Sequence, residues 1–99
     1  MIHLTSKQRA YLKSLANRIK STVYMGREGI SPALVQAVEE TYHTSELVKL
    51  KIHRECPLSK QKVADTVALA TGSCVVQILG NTLLFYRPDR ENPTIVLPE

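Results

Sequence analysis

Within twelve residues, from Thr22 to Ala33, the chain passes from a β-branched pair (Thr22-Val23) through two glycines (Gly26 and Gly29) to a Ser-Pro step (Ser31-Pro32). β-branched residues favour a strand, glycines a tight reversal, and Ser followed by Pro the cap and first position of a helix. Strand, loop and helix start must therefore meet at one point. Such a junction directs backbone N–H groups and the positive end of a helix dipole into one small volume, and glycines let a bulky anion approach the backbone. Phosphate suits it, and Arg27, between the glycines, adds a charged, forked donor at the tip. An ordinary turn uses glycines in the same way, so the rest of the chain has to decide between the two readings.

Upstream, Thr5-Ser6-Lys7-Gln8 has the spacing of a capping box, and Leu4 is placed to pack on the first turn. A helix over 6–18 follows, with Tyr11, Leu12, Leu15, Ala16 and Ile19 on one arc at about 100° per residue. Arg9, Lys13 and Lys20 fall within about 40° of one another on a different arc, so one face packs and another is basic. Downstream of the glycines, a helix over 32–43 carries Leu34, Val38 and Tyr42 on its apolar line. Its acidic outer face, with Glu39 and Glu40, is expected to turn away from any nucleic acid.

The run from Glu46 to His53 alternates with period two, which predicts a strand with Val48, Leu50 and Ile52 buried and Lys49, Lys51 and His53 exposed. Ser59 caps a third helix that opens with Lys60-Gln61-Lys62. Basic residues in a first turn oppose the helix dipole, and they are easier to understand as contacts. Val63, Val67 and Ala70 form that helix's apolar line, and Gly72 ends it. Two further strand-like runs, 74–79 and 82–86, are joined by Gly80-Asn81, a hairpin turn of the mirror type.

The order is thus α-β-α-β-α-β-β, an α/β fold of two layers with a four-stranded mixed sheet. The crossover helices favour parallel pairing of the first three strands, and the last strand runs antiparallel in its hairpin. Ninety-nine residues make a single domain, 1–99, with a core over about 4–88 and a tail over 89–99.

The net charge of +4 is distributed in blocks: residues 1–29 carry +5, 30–48 carry −3, 49–62 carry +4 and 63–99 carry −2. Segregated basic charge is the electrostatic footprint of a partner such as nucleic acid, although a basic protein-interaction module or a general nucleic-acid binder would show it too. Duplex DNA is disfavoured, because no helix rich in Arg, Asn and Gln offers itself to a groove.

Enzyme constellations are missing. His3, His43 and His53 lie in different elements, and neither Cys56 nor Cys74 has a base at a useful spacing. Glu39 and Glu40 diverge by about 100° on their helix, and Gly26-Arg27-Glu28-Gly29 lacks the spacing of a nucleotide-binding loop. No catalysis, metal, cofactor or small-molecule substrate is expected. No apolar run approaches the roughly 20 residues of a membrane span, and the N-terminus lacks a signal peptide's apolar centre, so a cytoplasmic location away from membranes is expected.

Several motifs in the same order resemble those of the CRM domain (chloroplast RNA splicing and ribosome maturation), in particular its bacterial single-domain YhbY-type form. They are the leading Leu-Thr-x-Lys-Gln of 4–8, Gly26-x-x-Gly29, Glu46-Leu47-Val48-Lys49, and the run from Gln77 to Pro88. The resemblance implies a fold similar to the C-terminal domain of bacterial translation initiation factor three. It also implies binding of ribosomal RNA in large-subunit precursors, with a role in ribosome assembly. It makes Gly26, Arg27 and Gly29 the expected RNA contacts. The remaining candidate contacts are Lys7, Arg9, Lys13 and Lys20 on or just after the first helix, Lys49 and Lys51 on the second strand, Lys60 and Lys62, and Arg87. Two departures remove positive charge where RNA would touch: Glu28 inside the loop, and Asn81 at a hairpin position where the family often has lysine.

Overall fold

The capping chemistry read from the sequence is used throughout the computed structural model, which describes residues 3–19, 22–27 and 29–99. Thr5 and Gln8 form the reciprocal capping box of α1 (Ser6–Ala16), and Ser31 and Ser59 cap α2 (Pro32–Tyr42) and α3 (Lys60–Thr71). Gly72 closes α3 at φ +66°, a conformation in which a Cβ is strained even though open space surrounds it. α1 ends two residues before the expected Arg18, and Asn17 caps it. Its packed stripe is narrower than expected: Leu12 and Ala16 are buried, whereas Tyr11 is 38% exposed. No helix among the described residues is long and apolar enough to cross a membrane.

The strands are β1 (Thr22–Met25), β2 (Leu47–Ile52), β3 (Cys74–Leu79) and β4 (Thr82–Tyr86), in the sheet order β1-β2-β4-β3. β1 and β2 pair in parallel, as expected. β3 does not join them, because β4 lies between β2 and β3 and runs antiparallel to both. The β3–β4 turn has positive φ at Gly80 (+58°) and no positive φ at Asn81, the sign pattern of a type II′ turn. Val76 is left without an opposite residue between the pairs Val75–Phe85 and Gln77–Leu84, which makes a β-bulge in this edge strand.

Helices cover both faces of the sheet, so the layering differs from the two-layer expectation. On one face Val48, Leu50, Ile52, Leu83 and Phe85 pack under α2 and α3. On the other, Leu47, Leu84, Tyr86, Cys74 and Val76 pack with Leu4, Leu12 and Ala16 of the α1 segment. The exposed basic face expected for β2 is therefore partly covered: Leu47 is buried and Lys49 half-buried. The warning lies in Leu83-Leu84-Phe85-Tyr86, a continuous apolar run of the kind found when both faces of a strand are buried.

The segment after β4 is docked. Ile95 and Leu97 pack half-buried against the α1-side core, and Gln8 Nε2 donates to the Pro98 carbonyl. The anchor is Glu46, only 5% exposed. Its Oε1 accepts from Thr94 N–H (2.9 Å), Thr94 Oγ1 (2.8 Å) and Ile95 N–H (2.7 Å), and its Oε2 from Asp89 N–H (2.6 Å). Burial pushes the carboxyl upward, but the four donated hydrogen bonds outweigh it and hold Glu46 below its ordinary value of 4.5.

Because the folded value lies below the unfolded one, the unfolded state binds more protons between them. This contribution to stability is complete above about pH 6 and is lost as pH falls through the carboxylate range. Glu46→Gln puts an NH2 group where one carboxylate oxygen accepts, and is expected to cost about 1.5–3 kcal/mol at neutral pH and to flatten this acid dependence. Urea denaturation across a pH series measures both, and an unchanged pH profile would remove Glu46 as the anchor.

Candidate nucleic-acid interface

The Gly26–Gly29 loop forms a closed turn. The Gly29 N–H donates to the Gly26 carbonyl at 3.1 Å, and Gly29 is buried with φ +89°. A Cβ built there would lie 3.5 Å from Leu58 Cδ1, an ordinary contact, so the backbone conformation and not space calls for glycine. At the start of α2, Ser31 Oγ accepts from the Leu34 N–H and the Ser31 carbonyl from the Val35 N–H, while Pro32 has no N–H to offer. The Gly29, Leu34 and Val35 donors of the expected anion cradle are thus used inside the fold. Positive charge at this end comes from side chains.

Arg27 stands at the tip with its side chain 73% exposed, and its Nη1 lies 3.2 Å from Glu55 Oε2. An exposed pair of this kind contributes at most about 1 kcal/mol, so an incoming phosphate can take over the guanidinium. Glu28, the acid expected to weaken the loop, lies outside the described residues, as does Lys20.

Parallel pairing brings the C-terminal ends of β1 and β2 to the same end of the sheet. The His53 N–H donates to the Met25 carbonyl there, and the Ile52 N–H donates to the Asn81 carbonyl, which ties in the hairpin turn. Leu58 reaches Gly29, and α3 begins two residues later with the exposed Lys60 and Lys62. A groove of 380 Å³ opens here, lined by Tyr24, Met25, Gly26, Lys51, Ile52, His53, Arg54 and Asn81. The fold thus gathers Gly26, Arg27, Gly29, Lys51, Lys60 and Lys62 at one end. It adds Arg54, a loop residue whose place in the basic block 49–62 points to the same surface. Open α/β sheets usually bind ligands outside the carboxyl ends of their strands.

The other candidate cations are placed elsewhere. Lys7 and Lys13 are exposed on α1, in the layer opposite α2 and α3. Arg9 donates from Nη1 to the Val75 carbonyl (2.6 Å) and the Val76 carbonyl (3.3 Å), covering backbone groups at the β3 bulge. Lys49 Nζ donates to the Ile19 carbonyl at 3.2 Å, just past the end of α1.

Arg87 is the most heavily engaged of these cations. Its Nη1 lies 2.9 and 3.0 Å from the two Glu39 carboxylate oxygens and 2.8 Å from the Thr71 carbonyl, and its Cζ lies 4.2 Å from the centroid of the Tyr42 ring. Glu39 is therefore not part of a free acidic face, as expected, but half of a clamp that holds α2 to the end of β4. Tyr42 beneath it is buried, which pushes its hydroxyl up to about 12, and that hydroxyl shares a hydrogen bond of 2.7 Å with Ser73 Oγ.

Tyr24 and Tyr86 are the two tyrosines whose strands reach this region, and their exposure separates them. Tyr86 is buried and cannot meet a base, whereas Tyr24 is 71% exposed.

The sequence profile of the CRS1/YhbY (CRM) domain matches residues 4–87. The YqeI protein of Bacillus subtilis (strain 168), named as a probable RNA-binding protein, is 30% identical over 95 residues, which span 96% of this chain and 99% of that protein. A protein of Haemophilus influenzae named as an RNA-binding protein is 30% identical over 91 residues, 92% of each chain. The solution structure of the hypothetical protein SAV1595 from Staphylococcus aureus superposes with a TM-score of 0.78 at 33% identity, covering 97% of this chain and all of that one. These matches span both the fold and the loop described above, and the chain belongs to the CRS1/YhbY (CRM) domain family.

Proposed function

We propose that this chain is a non-catalytic RNA-binding domain that meets ribosomal RNA in precursors of the large subunit and assists their assembly. The observation that carries RNA as the ligand is the gathering of exposed cations around the Gly26–Gly29 turn at one end of the sheet, in a family whose relatives are named as RNA-binding proteins. The ribosomal part of the reading rests on the resemblance to the YhbY-type form. Contact is assigned to Arg27, Lys51, Arg54, Lys60 and Lys62, with Gly26 and Gly29 shaping the backbone between them. Lys7 and Lys13 extend the basic surface over α1. Arg9, Lys49 and Arg87 are assigned to stability first, because each already donates to a partner within the fold.

Sedimentation of cell extract at low salt tests the ribosomal part: the protein is expected with large-subunit precursors, and its confinement to the top fractions would contradict this. Ribonuclease treatment of a pull-down tests RNA as the partner. Partners that persist after digestion would favour a protein-interaction module instead.

Arg27→Ala is expected to weaken RNA binding by about 1–3 kcal/mol with little change in melting temperature, because it removes a charge-assisted contact made in the complex. Lys51→Ala should reduce affinity by less and lower the log–log salt slope by about one, as expected for one lost phosphate contact. Arg87→Ala should do the reverse, costing about 1–3 kcal/mol of stability while leaving the salt slope unchanged. Affinity across a salt series, with a denaturation curve for each variant, separates the two groups. An Arg87→Ala protein of normal stability but defective binding would move the interface to the Glu39–Arg87 end.

A further inference from the structure

The α1-facing side of the sheet is built of cross-strand rows whose cover diminishes toward the loop end. Leu47, Tyr86 and Cys74 form the first row and are all buried. Lys49, Leu84 and Gln77 form the next, with Leu84 buried and its two neighbours half-buried. The last row runs across all four strands: Tyr24 pairs with Lys51, Lys51 with Thr82, and Thr82 with Leu79. Tyr24 is 71% exposed, Leu79 67% exposed, Lys51 exposed and Thr82 half-buried.

Two large apolar side chains thus flank a lysine and a threonine on an open stretch of sheet. α1 leaves this row uncovered, although it covers the apolar residues of the rows before it.

An exposed tyrosine beside a lysine on a flat sheet has the chemistry of a nucleobase platform: the ring offers a π-face to any base, and the ammonium sits where a flanking phosphate would pass. The adjoining groove supports a polyanion over an acidic or neutral partner, since among the described residues its lining includes Lys51 and Arg54 and no carboxylate. It also runs without a break from Tyr24 to Gly26, the first residue of the loop.

We propose that this row is a second RNA subsite, on which an unpaired base stacks on Tyr24 while Lys51 and Arg54 hold the neighbouring phosphates and the loop takes the strand onward. The subsite deepens the RNA-binding reading and rests on it. It specifies that the RNA recognised carries an unpaired nucleotide, and that a continuous duplex cannot use the whole surface.

The test uses the full chain, with two RNA probes of equal length and matched charge: a perfect duplex, and a hairpin whose loop carries the fluorescent base 2-aminopurine. Tyr24 is exposed, so Tyr24→Ala and Tyr24→Phe are expected to fold as the unaltered protein does, and melting curves check this. The unaltered protein and Tyr24→Phe should bind the hairpin more tightly than the duplex and quench the 2-aminopurine. Tyr24→Ala should lose about tenfold in hairpin affinity and lose the quenching, with duplex affinity unchanged.

Equal hairpin affinity for Tyr24→Ala and the unaltered protein would overturn the platform and leave the RNA-binding reading standing on Arg27. Equal losses for both probes would also overturn it, because a contact indifferent to pairing is not base stacking. Failure of the unaltered protein to bind either probe would overturn the RNA reading itself, and the platform with it.

Discussion

β4 is the strand on which the rest of the structure depends. It lies between β2 and β3, and its side chains alternate between two separate cores: Leu83 and Phe85 go to the α2/α3 side, Leu84 and Tyr86 to the α1 side. All four are at most 3% exposed, so each face of this strand is withdrawn from water nearly completely. Burying side chains of this size stabilises by roughly 1.5–3 kcal/mol apiece, and no other strand contributes so evenly to both layers. β4 also sets the geometry of the loop end. By pairing with β2 it draws the Gly80-Asn81 turn beside Ile52, and by separating β2 from β3 it leaves the parallel β1–β2 pair to carry the loop, the groove and the start of α3.

The same arrangement divides the basic residues into two populations. Cations near the middle or the far side of the sheet find carbonyls or carboxylates of the fold: Arg9 at the bulge, Lys49 at the end of α1, Arg87 between Glu39 and Thr71. Cations at the C-terminal ends of β1 and β2 are exposed, and Arg27 has a surface partner that water screens. A protein that needs positive charge for a ligand keeps it unspent in this second form, since a guanidinium already desolvated and paired has little left to offer a phosphate. Net charge alone does not reveal this division.

Local chemistry was legible in the sequence, and long-range placement was not. The capping box at Thr5, the Ser31 and Ser59 caps, the left-handed Gly72 and the two-residue hairpin turn are each fixed by neighbours within a few residues, and each forms as read. The position of β4 between β2 and β3 depends on which strands pair across more than thirty residues, which no local pattern encodes. The second core was foreshadowed by Leu83-Leu84-Phe85-Tyr86, but a hairpin strand with one face in solvent is the commoner outcome. The alternation that begins at Glu46 marks the start of a strand, yet the partners of its carboxylate, Asp89, Thr94 and Ile95, are more than forty residues away. At the candidate site the loop was visible through its glycines. The engagement of Arg9, Lys49 and Arg87 was invisible, because the carbonyls they meet leave no mark in the sequence.

The central claim is that RNA meets the end of the sheet where β1 and β2 terminate, and not the opposite end where Arg87 closes the fold. Ultraviolet crosslinking of the protein to its bound RNA in cell extract, followed by mass spectrometry of the peptides that retain nucleotides, tests this most directly. Crosslinks concentrated in the peptides containing Tyr24 to Arg27 and Lys51 to Arg54 are the predicted result. Crosslinks confined to peptides containing Glu39 to His43 or Arg87 to Glu91, with the loop peptides unmodified, would contradict it.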